Sequence, residues 1–149
     1  MGDWRHNLIA GDDGVAAILR EAKTVAVLGA KLGAGEPAFY VPAYLHARGY
    51  RILPVNPTLR GHAAFDRPVV ATLADLEEAA DVVEIFRRPE YLPGHAAEIL
   101  ALPWRPRAAW FQLGIPNDRA AETLARAGMQ VVQDRCMMPD HRRLIVGTR

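Results

Sequence analysis

The sequence predicts an α/β domain with a mostly parallel sheet and helices on both of its faces. The first observation is that short apolar strand segments alternate with helical segments along nearly the whole chain. The second is that the segment 24–28 is apolar on both faces, which is typical of a central parallel strand covered on both sides. The third is the length of 149 residues, which gives enough core for a single domain over 1–149 with a short N-terminal arm at about 1–13.

The first third of the chain predicts two helices and two strands. Asp12 or Asp13 can cap the first helix, because a carboxylate oxygen accepts hydrogen bonds from the free amides of a first turn. Pro37 suits the first position of the second helix, and Gly49 ends it. In order, the elements are a helix at 14–22, a strand at 24–28, a helix at 37–48 and a strand at 51–55.

The remaining segments continue the same alternation. The stretch TLRGHAAFDRP is predicted to be a loop, and Asn117 and Gly128 mark the start and the end of the last long helix. The predicted strands are 68–71, 81–86, 108–113 and 130–134, and the predicted helices are 73–79, 93–102, 117–127 and a final turn at 139–144. Since strands alternate with helices, the connections should be right-handed crossovers.

The glycine-rich loop GAKLGAGEP, at 29–37, predicts a phosphate site. Backbone amides at such a loop and at the following helix start point outward, and the helix dipole favours an anion. Lys31 adds a mobile positive charge. The alternative is a tight strand-to-helix turn that holds no ligand, since a glycine loop alone is a weak signal.

Two familiar nucleotide motifs are missing from this loop. A dinucleotide fingerprint needs glycine at the positions of Gly29, Lys31 and Ala34, and only the first of these three residues is glycine. The acidic residue that would bind a ribose after the second strand is replaced by Asn56-Pro57. The chain has no serine, so serine-nucleophile hydrolases are excluded, and the loop lacks the Gly-Lys-Ser/Thr of nucleoside triphosphatases.

Composition and charge limit the binding partners and the cellular compartment that we expect for this protein. The net charge of +1 is too balanced to indicate nucleic acid or an anionic membrane as the main partner. No signal peptide and no apolar run of about 18 residues is present, so we expect a cytoplasmic protein. The single cysteine excludes an internal disulfide, the five histidines lack metal-ligand spacing, and no catalytic group can be named.

Several stretches in this order resemble one family: VAVLGA, YVPAYLHARGYRILPVNP, VVEIFRRPE, WFQLGI and DRCMMPDHRRL. They are similar to the small stand-alone CoA-binding proteins, which are related to the N-terminal domain of the succinyl-CoA synthetase alpha subunit. The similarity covers about residues 15–146. It implies a Rossmann-like, doubly wound sheet and coenzyme A as the ligand.

The resemblance also implies roles for individual residues. The loop Gly29–Pro37 would hold phosphate, Asn56 would lie beside the ligand, and Arg60 could reach a phosphate. Phe86 would flank the adenine or the pantetheine, and Arg87 is a better phosphate partner than Arg88, where many relatives carry proline. Gln112, Leu113 and Gly114 would close the far side. The implied cofactor-binding residues are Gly29, Ala30, Lys31, Gly33, Gly35, Val55, Asn56, Pro57, Phe86, Arg87, Arg88, Gln112, Gly114 and Cys136.

The predicted function is therefore noncovalent binding of coenzyme A, or of a short acyl-CoA, at the carboxyl ends of the strands. Two alternatives stay open. One is a small NAD(P)-linked or CoA-thioester enzyme, which rests on fold analogy alone. The other is a redox partner in which Cys136 exchanges with the thiol of coenzyme A, although a lone cysteine is more often an inert, partly buried residue.

Overall fold

Five parallel strands form the sheet that organises the fold. In this computed structural model, which describes residues 3–147, the strands in chain order are β1 (Thr24–Leu28), β2 (Arg51–Val55), β3 (Ala63–Ala64), β4 (Arg67–Pro68), β5 (Val82–Ile85), β6 (Ala108–Phe111) and β7 (Gln130–Gln133). The sheet has the order β2-β1-β5-β6-β7, and every pair in it is parallel. The strands β3 and β4 form a separate antiparallel hairpin.

Helices cover the sheet on both sides. They are α1 (Asp12–Glu21), α2 (Pro37–Ala47), α3 (Leu92–Leu100), α4 (Asp118–Arg126) and α5 (Met137–His141). One core cluster joins α3 and α4 to one face of the sheet, and the other cluster joins α1, α2 and α5 to the opposite face. This confirms the predicted Rossmann-like, doubly wound α/β fold.

Residue chemistry explains the order of the strands. The strands β1, β5 and β6 are buried almost throughout, as interior parallel strands must be. The second strand contains Pro54, which has no amide hydrogen, and it lies at an edge of the sheet, where a proline costs least. The helix α4 is capped by Asn117, whose side-chain oxygen accepts from the amide of Ala120 at 2.9 Å, as predicted.

Each outer strand of the sheet makes one short parallel bridge with a segment outside it. Leu8 bridges Val131 of β7, and the amide of Ile9 donates to the carbonyl of Val131 at 2.8 Å. Val70 bridges Val55 of β2 in the same way. The predicted N-terminal arm is therefore a docked segment up to α1 in the residues described, whereas Met1 and Gly2 lie outside them.

Four predictions about local structure were wrong. The first helix is capped by Gly11, and Asp12 lies inside its first turn, where it accepts hydrogen bonds from Arg135 and Arg143. The loop before β5 contains a 3-10 turn and the β3–β4 hairpin. Of the predicted strand at 68–71, Pro68 belongs to β4 and pairs with Ala63, and Val70 makes an isolated bridge. The predicted helix at 73–79 is a single 3-10 turn, Leu73–Asp75.

The last helix also differs from the prediction. It begins at Met137 and continues into a π-helical turn, Arg142–Val146, so it extends beyond the predicted turn at both ends. The strands β5, β6 and β7 end one or two residues earlier than predicted, and Gln112 and Leu113 therefore lie in the loop beyond β6.

Candidate functional site

The candidate site lies where the chain changes direction in the sheet. The strand β1 pairs with β2 on one side and with β5 on the other. The helix after β1 covers one face and the helix after β5 covers the opposite face, so the loops leaving these two strands separate. Such a point opens a crevice at the carboxyl ends of the strands, which is where ligands bind in open α/β sheets.

Gly29 allows the two diverging loops to meet at this point. Its φ angle of +90° is one that side chains rarely adopt. A Cβ atom at Gly29 would lie 2.3 Å from the carbonyl oxygen of Phe86 and 3.2 Å from Cδ of Arg87. Glycine is thus required here by the close approach of the loop after β5.

The crevice contains two adjoining pockets with volumes of about 400 Å³ and 390 Å³. Both are lined by Lys31, Phe86, Arg87 and Arg88. The first pocket is also lined by Glu36, Pro37, Ala38, Pro89, Gln112, Leu113 and Ile115, and the second by Gly29, Asn56 and Tyr91. The crevice therefore combines three cations with apolar side chains.

The first amides of the glycine loop are already occupied. Gly29 and Ala30 both donate to the carbonyl of Val55, at 2.9 and 3.2 Å, and Lys31 donates to the carbonyl of Ala38 at 3.3 Å. Within residues 3–147, the amides of residues 32–35 donate to no backbone acceptor. Any anion bound by this loop would therefore contact the amides of residues 32–35, which is later in the loop than its start at Gly29.

Asn56 holds the glycine loop in place. Its side chain is buried, and its amide nitrogen donates to the carbonyl of Ala30 at 2.7 Å. Its side-chain oxygen accepts from the backbone amide and the hydroxyl of Thr58, at 2.9 and 2.8 Å. These hydrogen bonds use both the nitrogen and the oxygen of the side-chain amide. Asn56 therefore contributes to the site by joining the glycine loop to the turn after β2.

Arg87 is the most restrained of the cations in the crevice. Its Nε donates to Nε2 of His95 at 3.3 Å, and its guanidinium carbon lies 5.0 Å from the ring centre of Tyr91. In the part of the chain that the structure describes, its two terminal nitrogens make no hydrogen bond. Arg87 is half-buried and Arg88 is exposed. This geometry leaves the forked end of Arg87 available to an anion.

Gln112 lines the first pocket of the crevice, and Cys136, which contacts Gln112, lies outside both pockets. Gln112 is buried, and its side-chain oxygen has no hydrogen-bond partner among the described residues. Cys136 is half-buried and caps α5. Burial raises the pKa of the Cys136 thiol, and a hydrogen bond with Gln112 opposes this rise only in part. The thiol is therefore protonated at neutral pH.

A buried acid was missed by the sequence analysis. Glu84 lies in β5 between Val27 and Trp110 and has no exposed surface. Among the described residues, neither of its carboxylate oxygens has a partner. Burial raises the pKa of Glu84 to about 8, so the side chain is largely protonated at neutral pH. The signal in the sequence was a lone acid inside the apolar run VVEIF.

Seven of the fourteen predicted binding residues line the two pockets: Gly29, Lys31, Asn56, Phe86, Arg87, Arg88 and Gln112. The other seven do not line them: Ala30, Gly33, Gly35, Val55, Pro57, Gly114 and Cys136. Arg60 is exposed and lines neither pocket. Sequence reasoning missed His95, which contacts Arg87 from α3, and four residues that line the crevice: Ala38, Pro89, Tyr91 and Ile115.

Across 3–147, no three His, Cys, Asp or Glu side chains come together in an arrangement suited to a metal ion. In the same residues, no helix has the length and apolar character that crossing a bilayer requires.

Comparison with known proteins gives a consistent result. Residues 23–142 match the family described as a CoA binding domain. The uncharacterized protein YneT of Bacillus subtilis is 32% identical over 127 residues, which cover 85% of this chain and 91% of YneT.

Solved structures also share the fold. The protein called cell-free ID.343, from Thermus thermophilus, is 46% identical with a TM-score of 0.86, covering 91% of this chain and all of that one. A hypothetical protein from Pyrococcus horikoshii OT3 is 28% identical with a TM-score of 0.84, covering 91% of this chain and 93% of that one.

Proposed function

The chain belongs to the CoA-binding domain family, and from that premise we propose that it binds coenzyme A, or a short acyl-CoA, noncovalently in the crevice between β1 and β5. The observation that carries this proposal is the free forked end of Arg87 in the crevice, together with the loop between its lining residues Lys31 and Glu36, whose amides at 32–35 donate to no backbone acceptor among the described residues. Both are donors suited to phosphate.

The phosphates would occupy the side of the crevice beside Gly29. The amides of residues 32–35 precede the N-terminus of α2, where the helix dipole favours negative charge. Lys31 and Arg87 both line this side, so a diphosphate could be approached by cations and by amides together. Gly35 has open space where a Cβ would stand, which leaves room for a ligand close to the backbone.

The rest of the ligand would occupy the first pocket. This pocket is lined by apolar groups of Phe86, Pro89, Leu113 and Ile115, and by the polar side chain of Gln112. Leu113 is 62% exposed and gives this pocket an apolar wall that is open to solvent. An adenine ring or a pantetheine arm has the mixed apolar and polar character that such a surface accepts.

Titration calorimetry with paired arginine variants tests this proposal. The wild-type protein should bind coenzyme A saturably, and Arg87→Ala should weaken binding by about 10- to 100-fold, as expected for a lost charge-assisted contact. Arg88→Ala is the matched control, because Arg88 lines the same pockets but is exposed. This variant should weaken coenzyme A binding by less than about threefold.

Ligand fragments identify the contacted group. If Arg87 binds the 3′-phosphate, Arg87→Ala should weaken the binding of coenzyme A and leave the binding of dephospho-CoA unchanged. If Arg87 binds the diphosphate, Arg87→Ala should weaken the binding of both ligands. Equal weakening for pantetheine, which has no phosphate, would show that Arg87 acts through folding. Absence of saturable binding by the wild-type protein at millimolar coenzyme A would end the proposal.

The alternatives receive less support from the site. For a mixed disulfide, the Cys136 thiolate must attack the disulfide of oxidised coenzyme A and release one coenzyme A thiol, and the raised pKa of Cys136 keeps the thiolate scarce. Intact mass after incubation with oxidised coenzyme A tests this idea. For NAD(P) chemistry, the buried Asn56 stands where a ribose-binding acid would be needed, and titration with NADH fluorescence is the test.

A further inference from the structure

Arg87 is connected to α3 by a chain of two hydrogen bonds. The Nε of Arg87 donates to Nε2 of His95 at 3.3 Å, and Nδ1 of His95 lies 3.0 Å from a carboxylate oxygen of Glu98. The second oxygen of Glu98 accepts from the amide of Leu73 at 3.3 Å. All three side chains are partly buried. The chain therefore fixes Arg87 at its Nε atom and leaves its terminal nitrogens unoccupied.

The donors and acceptors fix the position of the proton on His95. An arginine Nε–H group is always a donor, so Nε2 of His95 must accept and must carry no proton. The proton of the neutral ring is then on Nδ1, and this N–H group donates a hydrogen bond to the carboxylate of Glu98. The hydrogen bond from His95, with smaller contributions from Leu73 and Arg87, holds the pKa of Glu98 below its usual range. Glu98 is therefore ionised when His95 donates to it.

We propose that His95 and Glu98 are positioning residues for the anion-binding Arg87. Glu98 fixes the His95 ring so that Nε2 accepts from Nε of Arg87, and this contact keeps the terminal nitrogens of Arg87 available to phosphate-bearing ligands. This inference rests on the proposed function.

Charged groups on the segments that neighbour His95 either pair with other residues or form no hydrogen bond with His95. Helix α4 packs against α3, but its Glu122 pairs with Arg126, and its Asp118 accepts from Gln133. In the turn before β5, the carboxylate of Asp75 accepts from Thr72. The exposed Arg88 and Glu90 lie in the segment between β5 and α3, and neither forms a hydrogen bond with His95 within residues 3–147.

Gln and Leu substitutions at His95 separate positioning from simple packing. The side-chain oxygen of glutamine can replace Nε2 as an acceptor but cannot take up a proton, whereas leucine fills space without accepting. At pH 7.5, His95→Gln should bind coenzyme A within about threefold of wild type, and His95→Leu should bind about 5- to 20-fold more weakly. Thermal unfolding of both variants reports whether each is folded.

Recovery of binding by glutamine is the readout that packing alone would not give, because glutamine and leucine both fill the place of His95 but glutamine alone can accept from Arg87. His46→Gln is the matched control, because His46 contacts Asp66 at 3.4 Å near the opposite end of α2 from the glycine loop, and it should keep the wild-type affinity for coenzyme A.

The outcomes are distinguishable. If the wild-type protein binds coenzyme A and both His95 variants share its affinity, the inference is wrong and the proposed function stands. If the wild-type protein does not bind coenzyme A at pH 7.5, the proposed function fails first. Binding by His95→Gln near the wild-type affinity, with weak binding by a folded His95→Leu, supports the inference.

Discussion

Single side chains in this protein act mainly by holding other groups. Asn56 joins the glycine loop to the turn after β2, and His95 holds Arg87. The sequence pointed to Asn56 and Arg87 because each follows a strand at the ligand edge. It could not point to His95, because the contact joins a helix to a loop, and no residue spacing specifies it. The assignment of the fourteen binding residues to coenzyme A stays a prediction.

Glu84 is an ionisable side chain in a fully buried, apolar environment, which disfavours its charged form. A carboxyl group with no exposed surface and no partner among the described residues is costly to ionise. Burial raises the pKa of Glu84 from 4.5 to about 8, so the folded chain keeps a proton that the unfolded chain releases. The contribution to stability is thus largest below about pH 4.5 and is lost as the pH rises towards 8.

Replacing Glu84 with Gln should remove this dependence, since glutamine has nearly the same shape and no charge. The variant should be more stable than the wild-type protein at pH 8, by a few kcal/mol at most, and the difference should shrink towards pH 4.5. Urea unfolding at several pH values measures it. The exposed Glu77→Gln is the control, and a gain that is constant with pH would contradict the assignment.

At the level of elements, the glycine loop combines two kinds of glycine. Gly29 has a positive φ angle and no space for a Cβ, so the fold requires it. Gly35 has no positive φ angle and open space around it, so the fold alone does not require it. The sequence identified both as loop glycines but could not separate them, because the difference depends on where Phe86 lies.

Alanine at these two positions should have opposite effects on stability. Gly29→Ala should destabilise the protein by on the order of 3 kcal/mol or more, from backbone strain and the clash with the carbonyl of Phe86. Gly35→Ala should leave stability unchanged or raise it by up to about 1 kcal/mol, because it restricts the unfolded chain. Thermal unfolding measures both, and a folded, fully stable Gly29→Ala protein would disprove the steric account.

The elements that the sequence predicted correctly are those fixed by local chemistry. The boundaries of β1 and β2, the start of α2 at Pro37 and the Asn117 cap all match the structure. The segment between β2 and β5 was predicted poorly, because it is stabilised by contacts with distant residues. Its hairpin turn places Phe65 and Asp66 at positive φ angles, and Phe65 stacks on Phe39 of α2 at 5.5 Å.

At the scale of the whole molecule, the alternation of strands and helices was enough to predict the doubly wound sheet. It was not enough to give the strand order β2-β1-β5-β6-β7, which fixes the crevice beside β1 and β5. The candidate site follows from that order, since Gly29 and Arg87 are far apart in the chain and meet only where β1 pairs with β5. The extent of the domain, 1–149, stays a prediction.

The arm that precedes α1 should contribute to global stability. Trp4 packs against the core cluster under α3 and α4, Asn7 donates to the carbonyl of Ala125 at 2.9 Å, and Leu8 bridges β7. Deleting residues 1–10 should therefore lower stability by about 2–4 kcal/mol, mostly from lost apolar burial. Urea unfolding measures the change, and a truncated protein as stable as the full chain would show that these contacts contribute nothing.

The two short bridges at the outer strands have a consequence for recognition. Strand addition, in which a foreign extended peptide joins the rim of a sheet, requires unpaired backbone groups along that rim. Here Leu8 covers part of β7 and Val70 covers the end of β2. An incoming peptide would have to displace one of these segments before it could lengthen the sheet.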